Sequence, residues 1–199
     1  MKSQTMQSRL AERVRELRTH RGLTLDGLAE RSGVSRSMLS LVERGQSSPT
    51  AAVLDRLAAG LGVTIASLFG EGARADASPL SLRTDQASWR DPETGYQRRN
   101  LSPAGYPSPI ELVEVRLPSG ARVAYDGGLT RAVGISQQVW LIEGSLELTV
   151  GDVAHRLEAG DCLAMGLDGA VTFRNPGPAE ARYLVALTAD ANSHPRRQP

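Results

Sequence analysis

Residues 25–45 read LDGLAERSGVSRSMLSLVERG. Leu25, Leu28 and Ala29 form one apolar stripe of a short helix, Thr24 stands where a capping hydroxyl is needed, and Gly33 supplies the backbone freedom of a tight turn. Ser35 caps a second helix in which Leu39 and Val42 face inward, leaving Arg36, Ser37, Ser40 and Arg44 on the outside. Two short helices joined by a tight turn, the second with a polar and basic outer face, have the shape of a helix-turn-helix that lays its second helix in a major groove. A helical bundle that only mediates contacts is the alternative. Packing alone, however, demands neither the Ala29 to Gly33 spacing nor the outward Arg36, Ser37, Ser40 and Arg44.

The flanking segments complete a five-helix unit. From Ser8 to Thr19, Leu10, Val14 and Leu17 recur at helical spacing among charges. After Gly45 the loop QSSP ends at Thr50, a cap for AAVLDRLAAGLG, and Thr64 caps a last short helix, IASLF, whose Ile65, Leu68 and Phe69 close the core. With SGVSRSMLSLVERGQSSPT followed by LDRLAAGLGV, residues 8–70 resemble the XRE-type, lambda-repressor-like helix-turn-helix of phage repressors and bacterial regulators.

Charge divides the chain in the same place. Residues 1–70 carry +4 and the remaining 129 carry −3, so the overall +1 joins a basic half to an acidic one. A charge of +4 on one small domain implies weak DNA binding alone, because affinity rises steeply with the number of phosphates neutralised, and dimerisation through the other half is the usual remedy. The stretch EGARADASP, residues 71–79, lacks any apolar period and reads as a short flexible linker.

Beyond it, IELVEVRL, ARVAY, QVWLIEG, SLELTV, VAHRL, DCLAM, AVTFRN and RYLVALT are separated by Gly, Pro, Asp or Asn, a rhythm of roughly 8–12 residues that predicts an antiparallel barrel or sandwich. Glycines 144, 151 and 160 punctuate QVWLIEGSLELTVGDVAHRLEAGDCLAM, and residues 80–190 thereby resemble a cupin domain, a jelly-roll β-barrel. The whole chain is then similar to regulators that join XRE helices to a cupin barrel, in which the barrel dimerises and often senses a small molecule.

Cupin enzymes hold a metal with three His and one Glu, and the family's spacing tests that activity here. Anchoring the first motif at Gly144 places the Glu position at Gln137 and the His positions at Arg131 and Val133, or at Thr130 and Ala132 with the other spacing. Anchoring the second at Gly160 and Asn175 places its His at Val171, with Gly166 and Asp168 where the motif has Pro and Gly. No imidazole or carboxylate stands at any ligand position, so neither a metal cofactor nor a metal-dependent enzyme activity is expected. His20, His155 and His194 are dispersed, and the lone Cys162 reads as a small buried apolar residue.

In place of metal ligands, strand alternation points Gln137, Val139 and Leu141 inward, opposite Val171 and Phe173, which makes an apolar pocket with one amide. Arg122, Tyr125 and Arg131 are expected near its mouth, where a small, mostly apolar effector would be oriented by Gln137. Side chains that simply fill the barrel are the alternative. Trp140, of opposite parity, packs between sheets or belongs to a dimer interface.

On the DNA side, Arg36 and Arg44 are the guanine or phosphate contacts, and Ser37 and Ser40 are short enough for close approach to base edges. Thr24, Ser35, Ser47 and Ser48 offer hydroxyls to phosphates, while Glu43 is structural. The expected partners are a palindromic double-stranded operator with half-sites about one helical turn apart, a second copy of the chain and a small effector. No segment approaches the roughly 18 apolar residues that span a bilayer, so a cytoplasmic protein is expected, with a disordered tail over residues 191–199. A barrel used only for dimerisation and a cupin enzyme with a DNA-binding tether are the remaining readings.

Overall fold

The computed structural model describes residues 6–190 except 71, 73, 127–133 and 168. Four helices come first: α1 (Met6–His20), α2 (Leu25–Ser32), α3 (Arg36–Glu43) and α4 (Ala51–Leu61). The caps stand where the hydroxyls predicted them. Thr24 Oγ1 accepts from Gly27 N, Ser35 Oγ from Met38 N and Thr50 Oγ1 from Val53 N. Gly33, at φ +65°, closes α2 with its N–H on the Ala29 carbonyl. Leu10, Val14, Leu28, Leu39, Val42, Leu54, Leu57 and Leu61 fill the core between the helices.

The expected fifth helix is instead a single 3-10 turn, Ala66–Leu68, with Thr64 Oγ1 accepting from Ser67 N. Too few residues separate Thr64 from Gly70 for a ladder of α-helical bonds to repay its nucleation.

Ten strands follow: β1 (Ser88–Arg90), β2 (Gln97–Asn100), β3 (Ile110–Leu117), β4 (Arg122–Tyr125), β5 (Gly134–Glu143), β6 (Ser145–Val150), β7 (Val153–Glu158), β8 (Cys162–Gly166), β9 (Val171–Arg174) and β10 (Ala181–Asp190). They form a six-stranded antiparallel sheet, β1-β2-β3-β10-β5-β8, and a four-stranded one, β4-β9-β6-β7. The expected closed barrel is therefore corrected to a two-sheet sandwich. Among the described residues no ladder joins one sheet to the other, and closure comes from side chains packed between them.

Gly144 makes the step from β5 in one sheet to β6 in the other. Its φ is +84°, and a Cβ there would lie 2.9 Å from the Glu180 carbonyl oxygen, so no larger residue fits. Asn175, fully buried, staples the turn before β10: its amide donates to the Leu117 and Ala179 carbonyls, and its Oδ1 accepts from Gly177 N. Gly144 and Asn175, two of the three motif anchors, thus have backbone roles.

The helices sit directly on the sandwich. Asp91, just after β1, accepts the buried Ala51 N–H at the start of α4 through Oδ2 at 2.9 Å, and turns its other oxygen to Glu93 N and Thr94 N. Glu111 on β3 accepts from Thr64 and Ser67, Asn100 donates to the Ala66 carbonyl, and Phe69 packs against Trp89 with ring centroids 6.0 Å apart. The connecting stretch is tied as well, Arg74 N donating to the Gly105 carbonyl.

Candidate DNA interface and sandwich cavity

The outer face of α3 is built by its neighbours. Leu39 and Val42 anchor it to the core, and Arg36, Ser37 and Arg44 are exposed with Ser40 half-buried beside them. Arg18 of α1 holds the end of α3 through a two-pronged ion pair to Glu43 and also donates to the Leu23 carbonyl, which ties the loop before α2. That pair raises the Arg18 guanidinium above its ordinary value, the hydrogen bond it donates to Glu43 outweighing burial.

Arg36 meets Asp26 of α2 at 3.1 Å, a contact the sequence reading did not find. With the side chains 66% and 75% exposed, it adds little stability but leans the guanidinium toward α2. Ser35 and Ser37 share a hydroxyl hydrogen bond at 3.1 Å, Ser47 Oγ lies against the Met38 sulfur, and Ser48 and Thr24 are exposed at the edge of the same unit. Seven of the eight residues predicted to contact DNA lie on α3 and its two flanking loops, and Thr24 caps α2 in the loop before it.

A second site lies between the sheets and α4. A cavity of about 50 Å³ is lined by Gln137, Val171 and Phe173, which strand alternation turned inward, and by Tyr125, expected near the mouth. Three expected members are corrected, Leu141 among them, which is buried in the core and does not line the cavity. Val139 is buried in the core outside the cavity, one alternation too deep along β5, and Arg122 is exposed, donating to Thr172 Oγ1 on the adjacent strand. Arg131 lies outside the described residues, as do positions 130, 132 and 133 of the motif comparison.

Phe173 stacks on Tyr183, ring centroids 5.8 Å apart, and meets Tyr125 edge-on. Burial first, then the neighbouring tyrosines, lifts the phenols of Tyr125 and Tyr183 well above their usual range, the Arg98 charge opposing, so both stay neutral.

Sequence reading missed Tyr96 just before β2, Arg98 on β2, and Asp55, Thr64 and Ile65 from the helical half, all of which line the cavity. The only available signal was the parity of Tyr96 with Arg98 in a charged, apolar-poor segment.

The cavity's donors do not fit a first-row metal. No His or Cys lines it, and the Arg98 guanidinium would repel a cation there. Among the described residues no group of three His, Cys, Asp or Glu side chains comes together. Cys162 is exposed rather than buried, because β8 is an edge strand and its Cys faces outward beside Trp140, its register partner on β5. Trp140 itself is 47% exposed and does not pack between the sheets. No helix among the described residues is long and apolar enough to cross a membrane.

Comparison with known proteins agrees with this geometry. Residues 14–68 match the helix-turn-helix family HTH_3. The HTH-type transcriptional regulator SutR of Escherichia coli K12 is 29% identical over 175 residues, covering 87% of this chain and 91% of its own. PuuR of the same organism, also an HTH-type transcriptional regulator, is 23% identical over 185 residues, or 89% and 93% of the two chains. A crystal structure of an HTH_3 family transcriptional regulator from Vibrio cholerae superposes with a TM-score of 0.71 at 25% identity, over 96% of this chain and 98% of that one. The capped helix-turn-helix is thus a domain of the HTH_3 helix-turn-helix family, and the chain as a whole, helices and sandwich together, is similar to HTH-type transcriptional regulators.

Proposed function

We propose that the protein is a sequence-specific transcriptional regulator, not an enzyme, that binds a palindromic operator as a dimer and senses a small molecule in its sandwich cavity. Residues 8–70 read DNA, 71–79 connect, and 80–190 dimerise and sense. Arg36 and Arg44 contact guanine or phosphate, Ser37 and Ser40 permit close approach to base edges, and Thr24, Ser35, Ser47 and Ser48 meet phosphates. The dimer forms through the outer face of the six-stranded sheet, where exposed Trp140 stands beside half-buried Leu184.

One observation carries the sensing role over a sandwich used only for dimerisation: Asp55, Thr64 and Ile65 of the DNA-binding half form part of the cavity wall. A ligand there touches the middle of α4 and the segment after it directly. Gly60 of α4 lies so close to Ser32 of α2 that an added Cβ would meet it at 2.8 Å, so a displacement of α4 is passed to the reading unit.

The test has two parts. Genomic fragments selected by the purified protein at a stated salt concentration should enrich a palindrome, and random recovery would refute the DNA-reading role. Operator affinity is then measured with a panel of small amines, amides, sugars and carboxylates. A ligand-dependent change supports sensing, and invariance across the panel supports the dimerisation-only reading.

A further inference from the structure

Arg98 is the unexplained residue of the cavity. It is 7% exposed, and its Nε and Nη2 have no hydrogen-bond partner among the described residues. A buried guanidinium without acceptors is strongly unfavourable, and native proteins almost always satisfy it. The neighbouring arginine on β2 shows the contrast, since Arg99 turns to the other face and is satisfied by Glu114. Among the described residues no cavity side chain accepts a hydrogen bond from either nitrogen. Of the described residues that line the cavity, the phenols are held neutral, Gln137 is an amide, and Asp55 is engaged in an interaction. The remainder of the wall is apolar, with Ile135, Val171, Phe173, Val185 and Leu187.

Size narrows the ligand further. A cavity of about 50 Å³ has room for roughly four water-sized groups. We propose that it binds a short-chain organic carboxylate, its anion paired with Arg98 and hydrogen-bonded by Gln137, and its carbon tail against Ile135, Val171 and Phe173. This ligand class rests on the sensing role proposed above and specifies it.

The test uses the full chain and thermal unfolding, with sodium acetate, propionate and butyrate as probes against butyramide and butylammonium chloride at matched ionic strength. Saturating carboxylate should raise Tm by about 2–4 °C, and the neutral and cationic analogues should not. Arg98→Met should abolish the shift without lowering the ligand-free Tm, since it removes two buried nitrogens that have no hydrogen-bond partner among the described residues, and Arg98→Lys should retain a smaller shift. Equal stabilisation by butyramide, a shift with butylammonium alone, no response to any of the three acids, or an undiminished shift in Arg98→Met overturns the carboxylate assignment. The operator measurement separates the two ideas. If an amine, amide or sugar alters operator affinity while no carboxylate does, sensing stands and the carboxylate falls; if nothing alters it, both fall.

Discussion

Arg18 grips Glu43 with two parallel hydrogen bonds, Nε to Oε1 at 2.6 Å and Nη2 to Oε2 at 2.8 Å, across 25 residues of sequence. The side chains are 13% and 8% exposed, so the pair is shielded from solvent and orients α3 from behind its exposed face. Glu43→Gln should destabilise the protein by about 2 kcal/mol, below the roughly 3–5 kcal/mol of breaking a fully buried pair, because some water reaches both groups. Urea denaturation of the two proteins checks it. A change within about 0.5 kcal/mol would mean that the hydrophobic contacts of α3 alone position it.

Asp91 is the corresponding device between the two halves. Asp91→Ala leaves the buried Ala51 N–H without its acceptor and should cost about 1–3 kcal/mol in a denaturation experiment. Amide exchange at Ala51 should accelerate in the same variant, and unchanged protection there would show that α4 is capped without Asp91.

Glu114 links three strands of the six-stranded sheet, pairing with Arg99 of β2 and Arg182 of β10, while Arg182 also reaches Glu143 of β5. Burial alone would raise its carboxyl, but hydrogen bonds from Arg182 and Arg99 outweigh it and hold the group below its ordinary value of 4.5. A depressed carboxyl contributes stability above its unfolded value that is lost as pH falls through the folded one. Stability should therefore decline from about pH 4.5 downward, and Glu114→Gln should be less stable at neutral pH with a shallower acid dependence. Parallel pH profiles in wild type and variant would contradict this.

Arg36 and Asp26 should act on DNA in opposite directions. Arg36→Ala is expected to weaken operator binding by about 1–3 kcal/mol with dimerisation intact, if the guanidinium reads a base edge. Asp26→Ala should tighten it, because it frees Arg36 and removes a negative charge beside the groove-facing helix. Fluorescence anisotropy on the selected operator measures both, and equal affinities in all three proteins would remove Arg36 from the interface.

Trp140→Glu places a charge on the outer face of the six-stranded sheet and should convert the proposed dimer to a monomer of 21.3 kDa in sedimentation. A dimer that persists would move the interface elsewhere on the molecule.

The helical half was legible residue by residue, because its determinants are local. Thr24, Ser35 and Thr50 cap within three residues of themselves, Gly33 ends its own helix, and Leu39 and Val42 obey a 3.6-residue period. The same period-two logic placed eight strands and turned Gln137 inward. It failed at SWR and QRRN, where charge and brevity hide the strands, and those segments carry Trp89 and Arg98, with Asp91 just beyond the first. Whether β5 meets β8 by hydrogen bonds or the two sheets face each other as layers depends on ladders between distant segments, which no window of sequence encodes. So does the position of α4 on the sandwich: Ala51 and Asp91, or Asp55 and Arg98, are some 40 residues apart along the chain and have nothing local to couple them. Local chemistry determined the DNA-reading unit, whereas only tertiary packing decided that its last helix would form a wall of the cavity.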